Sequence, residues 1–279
     1  MFANQLKTVV LLASLTALLL FVGNLIGGYS GLIIAGIFAV LLNFSSYWFS
    51  DKIVLMMYKA KEVTDKNHAL YKIVKEVSEM AKLPMPKVYI IPTDASNAFA
   101  TGRNPKHAAV AATNGILNLL NHEELKGVIA HEVAHVKNRD ILISTIAGTI
   151  AGVISYIATM AQFAAIFGGR DRENSNALSL ILLAIVTPII AALIQLAISR
   201  SREYMADATG ANIVKNSKGL SSALEKLHND VRRHPMRLGN QATAHLFITN
   251  PFKNSGITSL LMTHPPMNER IQKLKAMEF

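Results

Sequence analysis

His131 and His135 stand four residues apart, with Glu132 directly after the first of them. On a helix that spacing puts both imidazoles on one face, so they can offer two nitrogens to a single zinc ion while Glu132 points alongside. The chemistry this permits is hydrolysis without a covalent intermediate. Zinc acidifies a water, the neighbouring carboxylate takes the proton, and the water attacks a carbonyl carbon. The chain has no cysteine, so thiolate ligands, disulfides and Cys nucleophiles are all excluded and a metal must sit on His and carboxylates.

One zinc per chain needs a third protein ligand, because catalytic sites usually hold three and leave the fourth position to water. The extended metzincin pattern asks for Gly at 138 and His at 141, where Asn138 and Ile141 stand. Glu173 falls in a loop that a spanning helix pair would hold about 30 Å away. Asp140 is five residues past His135, about 140° around a helix from it. Glu203 fits better, in Ser201-Arg-Glu-Tyr-Met-Ala-Asp207, because a hairpin that leaves and returns to one interface brings it back to the histidines. Asp207 lies one turn on from Glu203 and can accept the outer N–H of a liganding histidine. The plainer alternative for this pair is a solvated helix start, ion-paired with Arg200 or Arg202.

The elements that must position these groups follow from hydropathy. Asn121 and Glu124 form a capping-box pair, from which a helix runs without a breaker to Asp140. Between Lys7 and Asp51 there is no charged residue, which is room for two spans of about 20 residues each. They are expected at about 6–23 and 31–49, divided by the glycine-rich turn Asn24–Gly31, with Tyr47 and Trp48 as an interfacial aromatic belt. A secretory signal peptide is the alternative for the first. Ile141–Gly169 and Asn174–Ser199 are uncharged as well and read as a second spanning hairpin, kinked at Pro188; a buried soluble hairpin is the alternative.

The expected fold is a mainly α, multi-pass membrane protein with four transmembrane helices and an α+β domain containing a small sheet. Residues 1–50 would hold two spans, 51–140 the first part of the domain with the paired histidines, 141–199 the hairpin, and 200–279 the second part with the third ligand. Within it, an amphipathic helix is expected from Thr64 and strands at Pro86–Pro92, Ala98–Thr101 and His107–Ala112. Further helices are expected at Arg202–Asn216, Leu220–Val231 and Met267–Lys275. The net charge of +10 could suggest nucleic acid, but Lys52, Lys59, Lys61, Lys137, Arg139, Arg200 and Arg202 cluster beside the apolar blocks on one side by parity. That pattern excludes a nucleic-acid partner, makes the lipid bilayer one, and turns the domain and both termini to the cytoplasm.

The combination of paired N-terminal spans, Asn97-Ala-Phe-Ala-Thr-Gly102, His131-Glu-Val-Ala-His135, the hairpin, Glu203-Tyr-Met-Ala-Asp207 and Thr263-His-Pro-Pro-Met-Asn-Glu-Arg270 resembles the HtpX-type membrane heat-shock zinc metalloproteases, in the family of integral-membrane zinc peptidases that includes the CAAX prenyl endopeptidases. The resemblance implies a gluzincin-like domain in the bacterial inner membrane and zinc-dependent endoproteolysis of unfolded or damaged membrane proteins in quality control and stress response. It also implies that Asn97, Ala98, Phe99, Ala100 and Thr101 form an edge strand that pairs with extended substrate. His264 and Arg270 match a C-terminal motif and become candidate stabilisers of the transition state, with Arg270 on the surface of a Pro-initiated helix as the alternative. His68, His107, His228, His234 and His245 carry no spacing argument and read as surface residues. The rival function is a membrane transporter or scaffold with a non-catalytic metal site; the four blocks carry no internal charges that would mark a transport path.

Because the chain lacks cysteine, Ser175→Cys gives one thiol in the expected far-side loop. An impermeant maleimide should label it only from the side opposite the cytoplasm; labelling from the cytoplasmic side would show that 141–199 does not cross.

Overall fold

A computed structural model describes residues 2–151, 200–236, 241–250 and 265–279. The expected third and fourth spans beyond Ala151, Glu173 and His264 lie outside the described residues. The chain begins with α1 (Phe2–Trp48), interrupted by non-helical backbone at Gly27 and at Gly28, whose φ of 53° suits a residue without Cβ. The interruption makes two arms, Leu6–Asn24 and Gly27–Trp48, each long and apolar enough to cross a bilayer. Only 22% and 11% of their apolar windows are buried, so neither is the core helix of a soluble domain. Ile33, Ile34, Ile37, Phe38, Leu41 and Phe44 all face outward.

Next come α2 (Ser50–Met57), β1 (Lys61–Glu62), α3 (Ala69–Ala81), β2 (Lys87–Ile91), β3 (Ala98–Gly102), β4 (Ala108–Thr113), α4 (Asn114–Leu119) and α5 (His122–Asn138). They are followed by α6 (Ile141–Ala151), α7 (Arg200–Val214), α8 (Lys218–Arg233) and α9 (Met267–Lys275). The sheet is small and mixed, in the order β1-β2-β4-β3, with β2 and β4 parallel and β3 antiparallel to β4 at the edge. Ala98, Ala100, Ala108, Val110 and Ala112 meet the helical core of α3, α5 and α8, while Phe99, Ala109 and Ala111 meet Val54, Tyr58 and Phe247. Alanine on both faces lets two layers close on a strand pair that neither could approach if the side chains were large. On the membrane side, Ile143, Ile146, Ala147 and Ile150 of α6 pack with Leu11, Leu15 and Leu42 of α1.

The capping box at Asn121 and Glu124 is present as expected, and Glu124 also accepts from Ser222 Oγ at 2.7 Å and Lys226 Nζ at 2.8 Å, which pins the start of α5 to α8. The expected elements hold to within a few residues at their ends, with larger departures at three places. Residues 64–68 form a turn, with Asp65 accepting from the Asn67 N–H and His68 capping α3, because these side chains satisfy backbone groups that a helix start would leave open. The helix α5 stops at Asn138, where Arg139 turns left-handed at φ 58°. And α2 and α4 are short helices whose few turns left no readable period.

Contact between α5 and α8 is backbone to backbone: a Cβ on Gly127 would lie 2.5 Å from the Leu220 nitrogen and 2.9 Å from its Cα. Gly127→Ala gains about 1 kcal/mol of helix propensity but forces rigid backbone apart, for a net loss of about 1–2 kcal/mol. A lower thermal midpoint in detergent is the expected result; an unchanged midpoint would contradict this close approach.

Candidate active site

Two helices carry the site, and a glycine sets their separation. A Cβ on Gly210 of α7 would come within 2.9 Å of the Ala130 carbonyl carbon and the His131 nitrogen, so α7 lies directly on the turn of α5 that bears the histidines. His131 and His135 Nε2 are 3.2 Å apart. Glu203 Oε1 is 3.6 Å from His135 Nε2, and its Oε2 is 3.8 Å from His131 Nε2. Among the described residues, these three side chains form the cluster whose candidate ligand atoms all fall within 4.8 Å of one another.

The far nitrogen of each imidazole faces a carboxylate. His131 Nδ1 lies 2.9 Å from Asp207 Oδ1, and His135 Nδ1 lies 3.2 Å from both oxygens of Asp140. With a carboxylate beside Nδ1, Nε2 is the nitrogen that each ring has left for a cation. Two imidazole nitrogens and a carboxylate aimed at one point make a donor set for a single cation. Tetrahedral zinc with bonds of about 2.0–2.1 Å has ligand-to-ligand edges of about 3.3 Å, close to the three distances observed. The donor set therefore fits zinc.

Burial holds the His131 imidazole below its ordinary value despite Asp207, which keeps it neutral. For His135 burial works the same way, but Asp140 and then Glu203 overcome it and push the imidazole up to about 10. The carboxylates thus hold the site at a potential that demands positive charge. Burial would also raise Asp207, yet the Arg270 guanidinium beside it pulls the carboxyl down to about 2. That pairing is bidentate, with Arg270 Nε and Nη2 donating to the two Asp207 oxygens at 2.8 and 2.7 Å, while Nη1 donates to the Ile248 carbonyl at 3.0 Å.

Burial pushes the Glu132 carboxyl up to about 8, with His135 opposing, Glu203 adding, and the Ala100 N–H bonding to it. Its place beside the ligand cluster suits a carboxylate that takes a proton from a water and hands it on. Glu132 lines one small cavity with His131, His135, Asp140 and Glu203 on one side and His245, Leu246, Phe247 and Ile248 on the other.

The expected residues fall as follows. Glu203 and Asp207 are buried beside the histidines, so the reading of them as a solvated helix start is overturned. Asn97 to Thr101 lie at the sheet edge as β3 with its leading residue, all buried. The Asn97 amide donates to the Thr249 carbonyl at 2.7 Å, and the Ala98 carbonyl accepts from the Ile248 N–H at 3.2 Å. Arg270 is fully buried in α9, not on its surface, and its donors go to Asp207 and Ile248. Two participants were not anticipated. Asp140 reaches His135 because the left-handed Arg139 breaks the helix, so the angle around a continued helix no longer applies. His245 is buried in the cavity wall with Nε2 3.1 Å from the Ser144 carbonyl, not on the surface, and no motif or spacing in the sequence marks it.

Comparison with known proteins finds relatives over nearly the whole chain. The chain is 54% identical over 277 residues to the Protease HtpX homolog of Desulforapulum autotrophicum, covering 98% of this chain and 89% of that one. It is 56% identical over 276 residues to the Protease HtpX homolog of Desulfatibacillum aliphaticivorans, covering 97% and 89%. Its fold is similar to the crystal structure of S. mikatae Ste24p, with a TM-score of 0.51 and 17% identity over 98% of this chain and 66% of that one. The profile of peptidase family M48 matches residues 64–278, from before the amphipathic helix α3 to the end of the chain, and the chain belongs to that family.

Proposed function

We propose that this chain is a membrane-bound zinc endopeptidase that cleaves unfolded or damaged membrane proteins at the cytoplasmic face of a bacterial inner membrane. The observation that carries the reading is the convergence of His131 Nε2, His135 Nε2 and Glu203 on one point with Glu132 beside it. Membership in peptidase family M48 supports the protease class, and the two outward-facing apolar arms of α1 support the membrane. The names of the relatives support the protease class, and the quality-control role rests on the resemblance of the sequence motifs. Four spans are proposed, with 51–140 and 200–279 as the two parts of a cytosolic domain and 141–199 as the hairpin between them.

His131, His135 and Glu203 would hold one zinc ion, which when bound supplies Lewis acidity to the scissile carbonyl and to the attacking water. Glu132 accepts the proton of that water and delivers it to the leaving amine. Asp207 and Asp140 fix the rings through Nδ1, and Arg270 fixes Asp207. Substrate adds to the outer edge of β3 by backbone pairing, where Ala98 to Thr101 present small side chains beside Phe99. The proposed part of Arg270 is to position Asp207, and His264 remains the proposed stabiliser of the oxyanion.

Glu132→Gln should keep one zinc per chain by metal analysis while lowering cleavage of an unfolded model substrate by about 10²–10⁴-fold; full activity in this variant would sink the mechanism. Glu203→Ala should lose zinc on dialysis, and an unaltered zinc content would remove Glu203 from the ligand set. Asp140→Asn keeps the shape of the His135 partner but replaces its charge, and is expected to weaken zinc binding by about 10–100-fold in a chelator competition.

A further inference from the structure

A second cavity, of about 360 Å³, opens where the N-terminal arms meet the catalytic domain. Thr8 and Val9 enter its wall from near the start of the first arm and Tyr47 from the end of the second, so it lies at the level where both arms leave the apolar layer. Arg103 and Arg139 line it, and no Asp or Glu is among the described residues that do. Its remaining wall is largely apolar, with Ile141, Leu142 and Ile143 from the start of α6. The Arg103 guanidinium carbon lies 4.5 Å from the centre of the Trp48 ring, a cation–π contact. A guanidinium held against an aromatic ring keeps N–H donors for other acceptors, such as two oxygens of a phosphate.

We propose that this cavity binds the phosphodiester headgroup of an anionic phospholipid, held by Arg103 and Arg139, with an acyl chain laid against Val9 and the start of α6. The inference rests on the reading of the α1 arms as membrane spans. Charge complementarity selects an anionic lipid: among the described residues the lining offers two guanidinium groups and no carboxylate, at the depth where lipid phosphates sit. The apolar wall separates a lipid from a free phosphate, which would have no use for Val9 or Leu142. The site also touches the active centre. Ile141 lines both cavities, and Arg139 and Ile141 flank Asp140, the residue that orients His135. Lipid bound here braces the turn that sets this histidine.

Trp48 is the single tryptophan of the chain and reports the site directly. The full chain in a neutral detergent is titrated with short-chain phosphatidylglycerol, short-chain phosphatidylcholine and inorganic phosphate while Trp48 emission is followed. Phosphatidylglycerol should give a saturable change, phosphatidylcholine at least tenfold weaker binding, and phosphate no saturable change over the same range. Arg139→Asn removes a guanidinium but suits the left-handed φ of 58°, so the fold and the Arg103–Trp48 reporter stay intact. It should raise the Kd for phosphatidylglycerol about tenfold or more, the loss of one charge-assisted contact. Equal response to both lipids, no saturable response, or an unchanged Kd in Arg139→Asn would overturn the proposal. Saturation by phosphate alone would overturn the lipid assignment in favour of a free oxyanion. A chain that stays monodisperse without detergent overturns the membrane reading itself, whereas one that needs detergent yet ignores phosphatidylglycerol overturns only the lipid site.

Discussion

The approach of α7 to α5 at Gly210 is the constraint on which the site depends. Glu203 stands two turns before Gly210 on the same helix, and the histidines stand on the turn that Gly210 touches. A side chain there would move the carboxylate by more than the few tenths of an ångström a metal bond tolerates. The fold holds this spacing from both sides. At one end Gly127 and the Glu124 contacts with Ser222 and Lys226 bind α5 to α8, and at the other Arg270 carries α9 onto α7. The metal geometry is thus a property of helix packing, not of the ligands alone.

Burying this much charge costs desolvation that must be offset within the cluster itself. Arg270, Asp207 and His131 form one chain of contacts and Asp140 and His135 another, and they meet at Glu203. Removing one partner would leave the next uncompensated in a site shielded from water, which is why the outer carboxylates matter as much as the inner ligands. The same network sets the tautomers. With Nδ1 on each ring turned to a carboxylate, Nε2 is the nitrogen each ring presents to a cation, which displaces the proton that the carboxylates hold on His135.

Much of this was legible from residue types and spacing. The histidine pair, Glu132, the capping box at Asn121, the strand at Ala98–Gly102 and the helix at Met267–Lys275 each rest on local chemistry or a period that tertiary contacts do not override. Glu203 was legible for a different reason: the hydropathy pattern returned the chain to one interface, and few acids stood at the right place. Asp140 was misjudged because its position depends on a left-handed residue at the end of a helix, and Arg139 gives no glycine or asparagine signal for it. Arg270 and His245 were out of reach because burial of a polar side chain depends on partners far along the chain, Asp207 for one and Ser144 for the other. The short helices α2 and α4 are too brief for periodicity to show.

The edge of β3 poses an opposing demand. An open edge invites unwanted pairing, yet a peptidase that takes its substrate by strand addition must keep one available. Among the described residues the outward groups are engaged one at a time rather than by a full partner strand: Ile248 N–H at the Ala98 carbonyl, Glu132 beside the Ala100 N–H, and Thr145 Oγ1 at the Gly102 N–H. Phe247 wedges between Tyr58 and Phe99 and holds the 245–248 segment against that edge. On the proposed reading an entering peptide exchanges the Ile248 contact for its own, so the backbone hydrogen bonding is nearly conserved and the net cost is the displacement of Phe247. Isolated contacts of this kind block indiscriminate pairing while keeping the edge open to a segment able to make several bonds at once.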